Sequence, residues 1–100
     1  MKKNIEFSNC SKYLSLISEK TRLAILTELI EGEKSVGQIN ETLQIEPTLL
    51  SKHLKALKEL DVLQVQLNGK ERIYKINSDF LSKNHTNEIN FGCCSVKFNV

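Results

Sequence analysis

One hundred residues leave room for one small domain, and a chain of that size buries too little surface to be strongly stable alone, which favours oligomerisation. Hydrophobic residues make up 40% and charged residues 26%, ordinary for a globular protein, and no apolar run approaches the ~18 residues of a membrane span. The net charge of +2 is uninformative, but residues 47–75 hold six basic side chains against three acidic, a local +3, while the remainder holds eight against nine, or −1; positive charge gathers where a reader of nucleic acid would need it.

Residues 1–7 are expected to form a loose arm. The basic start Met1-Lys2-Lys3 leads into no apolar core of a signal sequence, so a cytoplasmic location is expected and no membrane association. In that compartment three cysteines read as free thiols, metal ligands or redox groups rather than structural disulfides. From about Ser8, a candidate N-cap, Cys10, Tyr13, Leu14 and Ile17 recur at helical spacing. Thr21 to Ile30 reads as a second helix with Leu23, Leu26, Leu29 and Ile30 inward, closed by Gly32.

Ser35 and Gln38 match a capping box that opens a third helix, with Val36, Ile39 and Leu43 on its buried face. The pattern breaks at Gln44-Ile45-Glu46 and restarts at Pro47, the sole proline, which suits the first position of a fourth helix. Leu50, Leu54 and Leu57 share one side of that helix, and Thr48, Ser51, Lys52, Lys55 and Lys58 fall on the others. Two alternating runs follow. Leu63, Val65 and Leu67 face one way, and Tyr74 and Ile76 face inward from the return strand. Asn68-Gly69 between them is the strongest short hairpin signal, since a type I′ turn needs positive φ at both positions. A brief helical turn is expected at 78–83 and a polar linker at 84–90. The end alternates after Gly92, with Cys94, Val96 and Phe98 on one side.

Two helices at a tight turn followed by a hairpin give a mainly α fold with a small β-hairpin, a winged helix-turn-helix, with an extra C-terminal strand. The expected organisation is a DNA-binding domain over 1–83 and a cysteine-containing tail over 84–100, packed on the domain or on a dimer partner. A helix fits the major groove of duplex DNA and meets base edges with its N-terminal residues. Those are Pro47, Thr48, Ser51 and Lys52; Lys55 and Lys58 are better placed for phosphates, Lys70 and Arg72 sit at the hairpin tip, and His53 neighbours the surface. About five basic contacts, each adding about −0.9 to the salt slope, are few for specific binding by one copy. A homodimer on a pseudo-palindromic double-stranded operator is therefore predicted.

Ser18-Glu-Lys-Thr-Arg-Leu-Ala-Ile-Leu26, Gly32-Glu-Lys-Ser-Val-Gly-Gln-Ile39, Leu50-Ser-Lys-His-Leu-Lys-Ala-Leu57 and Asn68-Gly-Lys-Glu-Arg-Ile-Tyr-Lys-Ile76 resemble the ArsR/SmtB family of bacterial and archaeal repressors over roughly residues 13–77. The resemblance implies a dimeric repressor that leaves its operator when a metal ion, metalloid or oxidant binds. The chain departs from the family pattern in two places. Val36-Gly37-Gln38-Ile39 stands where the family carries a Cys-x-Cys metal box, and no long C-terminal helix is visible to hold the family's Asp and His site or its usual dimer interface.

The sulfur ligands left are Cys10, Cys93 and Cys94. Three thiolates suit trivalent arsenic or antimony, or a soft divalent metal ion. The adjacent pair can serve one ion only if the chain bends, which Gly92 permits, and Cys10 joins from its own chain or from the partner's, since the resemblance puts the first helix at the dimer interface. His85 is a weaker candidate ligand. The function expected is a repressor released by a thiophilic metal or metalloid such as arsenite, with no cofactor needed for DNA binding. The alternatives are a repressor switched by thiol oxidation, a constitutive winged-helix regulator with packed cysteines, and an interaction module that never meets DNA. No acid/base pair, phosphate-cradling loop or supported nucleophile points to an enzyme.

Overall fold

The computed structural model describes residues 2–82 and 87–99, with backbone alone for residues 2–9. The elements run α1 (Lys2–Ile17), α2 (Lys20–Leu29), β1 (Lys34–Ser35), α3 (Val36–Leu43), α4 (Pro47–Glu59), β2 (Leu63–Asn68), β3 (Glu71–Ile76), a single 3-10 turn (Ser78–Phe80), β4 (Glu88–Asn90) and β5 (Ser95–Lys97). Strands β1, β3 and β2 form one antiparallel sheet in that order, and β4 pairs antiparallel with β5. Four helices and a hairpin wing make a winged helix-turn-helix.

Local chemistry explains the central elements. Ser35 and Gln38 close both halves of the capping box at the start of α3, at 3.1 and 2.8 Å. Gln44 ends α3 with φ 51°, a left-handed stop. The Asn40 side chain then clamps the turn: its Nδ2 donates to the Ile45 carbonyl at 2.9 Å and its Oδ1 accepts the Ile45 N–H at 2.7 Å. Pro47 occupies the first turn of α4, and the Glu46 carboxylate caps it by accepting the Leu49 N–H at 3.0 Å.

One core joins the whole described chain. Ile25 and Leu26 of α2, Ile39 of α3, Leu50, Leu54 and Leu57 of α4, and Val62 and Leu63 are almost fully buried. Tyr74 and Ile76 face it as expected, and Ile89, Phe91 and Phe98 of the C-terminal hairpin belong to the same cluster.

Several expectations are corrected. Helix α1 starts at Lys2, so Ser8 lies inside it and is no cap; the run Asn4-Ile5-Glu6-Phe7 holds neither glycine nor proline to stop it. Leu14, placed on the α1 stripe, is 49% exposed. Leu67 is 70% exposed, because the wing runs past the body that covers Leu63. In the wing turn Asn68 still pairs with Glu71, so the loop is Gly69-Lys70. Gly69 has φ 65° and Lys70 is not in the positive region, the pattern of a type II′ turn with glycine first. The C-terminal half of the expected linker at 84–90 is strand β4, bridged to Leu81. Its residues 84–86, including His85, lie outside the described residues, as does Met1 of the expected arm.

Candidate nucleic-acid interface and thiol cluster

Helix α4 is two-sided by sequence. Leu50, Leu54 and Leu57 are at most 1% exposed, while Pro47, Thr48, Ser51, Lys52, Lys55 and Lys58 are all exposed. An open cleft of about 630 Å³ separates α4 from the wing. Ser51, Lys55 and Lys58 line one wall and Lys70 and Arg72 the other. The cations expected on one surface are thus brought together by the hairpin folding back beside the helix. Among the described residues none of these five cations, Lys52 included, is held in an ion pair; the pairs found involve Lys34 and His53. A cleft with unneutralised lysines on both sides attracts polyanions.

Leu49 was missed by the sequence reasoning. It is 42% exposed at the N-terminal end of the same face, and the signal was there: it falls off the Leu50–Leu54–Leu57 stripe. An exposed apolar side chain at that position can contact a thymine methyl group.

His53 is placed differently from the rest of the expected set. It is 8% exposed and turned toward the body. Its number also carried the signal, since 50, 53, 54 and 57 follow the i, i+3, i+4, i+7 pattern of one helical face. Its Nδ1 accepts from Arg22 Nη1 at 3.1 Å. Arg22 Nε donates to the Leu16 carbonyl. The Glu19 carboxylate caps α2 by accepting the Arg22 N–H at 2.9 Å and lies 3.9 Å from His53 Nδ1. That backbone hydrogen bond holds the Glu19 carboxyl below its usual pKa, with His53 adding a smaller pull. Arg22 therefore ties the end of α1 to α4.

Midway along α1 the three cysteines meet within one chain. Gly92, at φ 97°, turns the hairpin, and the Phe91 N–H donates to the Cys94 carbonyl at 2.8 Å. This bend defeats the strand alternation that would send neighbouring side chains apart. Cys10 and Cys93 are joined as a disulfide with Cα atoms 6.2 Å apart, Cys94 Sγ lies 3.5 Å from Cys10 Sγ, and all three sulfurs fall within 4.8 Å of one another. Cys10 is buried and Cys94 half-buried. An ion bonded to each sulfur at about 2.3 Å needs them no more than about 4.6 Å apart, so small side-chain rotations in the reduced chain fit such a site.

An aromatic trio holds the same junction. Tyr13 of α1 stacks on Phe91 at 4.9 Å, and Phe80 meets both edge-on at 5.6 and 5.9 Å. The hairpin is closed by Asn87, whose carbonyl accepts the Phe98 N–H at 2.7 Å and whose amide donates back at 2.8 Å.

Residues 19–65 match the family described as bacterial regulatory protein, arsR family. The arsenical resistance operon repressor of Staphylococcus xylosus is 30% identical over 77 residues, covering 77% of this chain and 74% of that protein. This chain belongs to the arsR family. It is a DNA-binding transcription regulator of the family's repressor type and not an enzyme. Among solved structures, HlyU from Vibrio cholerae is similar with TM-score 0.71 and 27% identity, over 78% of this chain and 83% of that one. A homodimeric winged helix-turn-helix DNA-binding domain from Mycobacterium bovis shares the fold, with TM-score 0.70 and 24% identity over 78% of this chain and 72% of that one. Among the described residues no helix is long and apolar enough to cross a membrane.

Proposed function

We propose that this arsR-family regulator sits on a pseudo-palindromic operator as a two-fold dimer in the cytoplasm. It leaves when arsenite, antimonite or a soft divalent metal ion is captured by Cys10, Cys93 and Cys94. The observation that carries this reading is the meeting of three sulfurs from opposite ends of the chain within 4.8 Å. The name of the Staphylococcus xylosus relative supports a metalloid as the effector, and the homodimeric Mycobacterium bovis neighbour supports the dimer.

In this reading α4 enters the major groove from its Pro47 end. Thr48, Ser51 and Lys52 approach base edges, and Lys55 and Lys58 neutralise phosphates. Lys70 and Arg72 reach the flanking backbone or minor groove from the wing. His53 seats the helix instead of touching DNA. The exposed Leu14 of α1 belongs to the dimer face. Residues 1–83 form the DNA-binding unit and 84–100 the effector-bearing tail. Ion capture pulls α1 against the C-terminal hairpin, and a dimer whose α1 helices shift changes the spacing of its two recognition helices. A coupling of about 1–3 kcal/mol is enough to release an operator.

The test is operator footprinting, on DNA selected from random sequence, with and without arsenite. Lys52→Ala with Lys55→Ala is expected to abolish the footprint. Cys93→Ser with Cys94→Ser is expected to keep the footprint and lose its release by arsenite. Release that persists in the serine variant would remove the thiols from the mechanism.

A further inference from the structure

We propose that the cleft between α4 and the wing seats the sugar-phosphate strand that separates two neighbouring DNA grooves, and that Gly37, at the bottom of that cleft, is the residue that lets the strand come close. This rests on the reading of α4 as the major-groove helix with the wing beside it. It adds a position on α3 that decides how deeply the duplex is seated.

The placement follows from the shape of the duplex. Major and minor grooves alternate along B-DNA, and a sugar-phosphate strand runs between each neighbouring pair. A protein that lays a helix in one groove and a hairpin in the next must pass that strand through the gap between them. Here the gap is the cleft of about 630 Å³, walled by Lys55 and Lys58 on α4 and by Lys70 and Arg72 on the wing. Glu71 is the one acidic residue among those that line it, so the walls favour a polyanion. The start of α3 closes the bottom with Ser35, Val36 and Gly37. Ser35 is buried, and its hydroxyl oxygen accepts the Gln38 N–H at 3.1 Å. Gly37 is exposed.

Neither the backbone nor the packing requires glycine at 37. Its φ lies outside the positive region that Gly32, Gly69 and Gly92 occupy. A Cβ built there would meet Ser35 Oγ at 3.8 Å, an ordinary contact, and nothing closer. Alanine would favour α3, because glycine is a poor helix former. Close approach of another molecule is the further use of a residue without a side chain. The surroundings supply that cause: Gly37 lines a cleft whose walls carry cations, and the space beside its Cα is open.

The experiment compares wild type, Gly37→Ala and Gly37→Asp as full-length chains. Urea denaturation reads stability, and titration of DNA selected on the wild type from random sequence reads affinity. Both variants are expected to be at least as stable as wild type, since both residues are better helix formers than glycine and a carboxylate suits the first turn of a helix. Both are expected to bind DNA more weakly, Gly37→Ala several-fold and Gly37→Asp far more, because the first adds bulk in the path of the strand and the second adds charge. Neutral methylphosphonates, placed one at a time along the operator, locate the contact. At the position seated in the cleft the neutral group is expected to shrink the Gly37→Asp penalty, and elsewhere to leave it unchanged. Wild-type affinity in either variant would overturn the inference and leave the helix-and-wing reading standing. So would a binding loss that follows a loss of stability, or a Gly37→Asp penalty that no methylphosphonate relieves. Failure of the wild-type chain to bind any duplex would overturn this inference and the operator reading together.

Discussion

The two ends of this molecule are held by different physics. The reading half, α2 to β3, is a packed helical core with every helix N-terminus supplied locally: Glu19, Ser35 and Glu46 cap α2, α3 and α4, and Asn40 clamps the turn. The other half is a junction between α1 and a short hairpin, made by three aromatic rings, one hairpin's main-chain hydrogen bonds and a sulfur cluster. The two parts meet in one core, since Ile89, Phe91 and Phe98 of the hairpin pack in the same cluster as the helices. In the proposed function the cysteines lie away from α4, and sulfur chemistry acts there through the α1 junction.

Large-to-small changes in each half are the strongest way to break that comparison. Leu54→Ala, at a position 1% exposed, is expected to cost about 2–5 kcal/mol and to lower amide protection throughout the reading half. Phe91→Ala is expected to cost about 3 kcal/mol but to free mainly the C-terminal hairpin. Hydrogen exchange measures both. Equal loss of protection across α2–α4 in the two variants would mean the halves unfold as one unit.

The link between the halves gives a smaller effect. Arg22→Ala leaves His53 Nδ1 and the Leu16 carbonyl without their partner, and a loss of about 1–3 kcal/mol in urea denaturation is expected. Arg22→Lys should recover little of it, because one ammonium cannot serve both acceptors with the geometry of the guanidinium fork. Full recovery by lysine would reduce the link to simple charge.

The smallest effect is a pH dependence confined to the reading half. Backbone N–H groups of Arg22 and Leu49 lower the pKa of Glu19 and Glu46 respectively. A carboxyl whose folded pKa is depressed contributes stability above its unfolded value and loses it as pH falls through the folded one. Stability should therefore decline below about pH 4.5, the ordinary glutamate value, and Glu19→Gln with Glu46→Gln should flatten that decline. Thermal melts across this range measure it, and an unchanged slope in the double variant would assign the acid sensitivity to other groups.

The reading half was largely legible before any coordinates. Ser35, Gln38 and Pro47 announce helix starts by chemistry that acts over three residues, and Leu50, Leu54 and Leu57 announce a buried face by spacing alone. The same rules also held the placement of His53, whose number fits that face, and of Leu49, whose number does not. The wing turn was legible in kind but shifted by one residue, because cross-strand pairing of Asn68 with Glu71 outweighed the local preference of Asn-Gly.

The sequence by itself determined the helix-turn-helix, its basic face and the supply of three thiols, since each depends on neighbours a few positions apart. Only the tertiary structure decided that Cys10 meets Cys93 and Cys94 within one chain, that Arg22 reaches His53 from α2, and that Leu14 and Leu67 stay outside the core. Those contacts join residues that are distant along the chain or depend on where a neighbouring element ends. The meeting of the cysteines forms only when the burial of Ile89, Phe91 and Phe98 offsets the entropy of closing a long loop, a balance that no local pattern records.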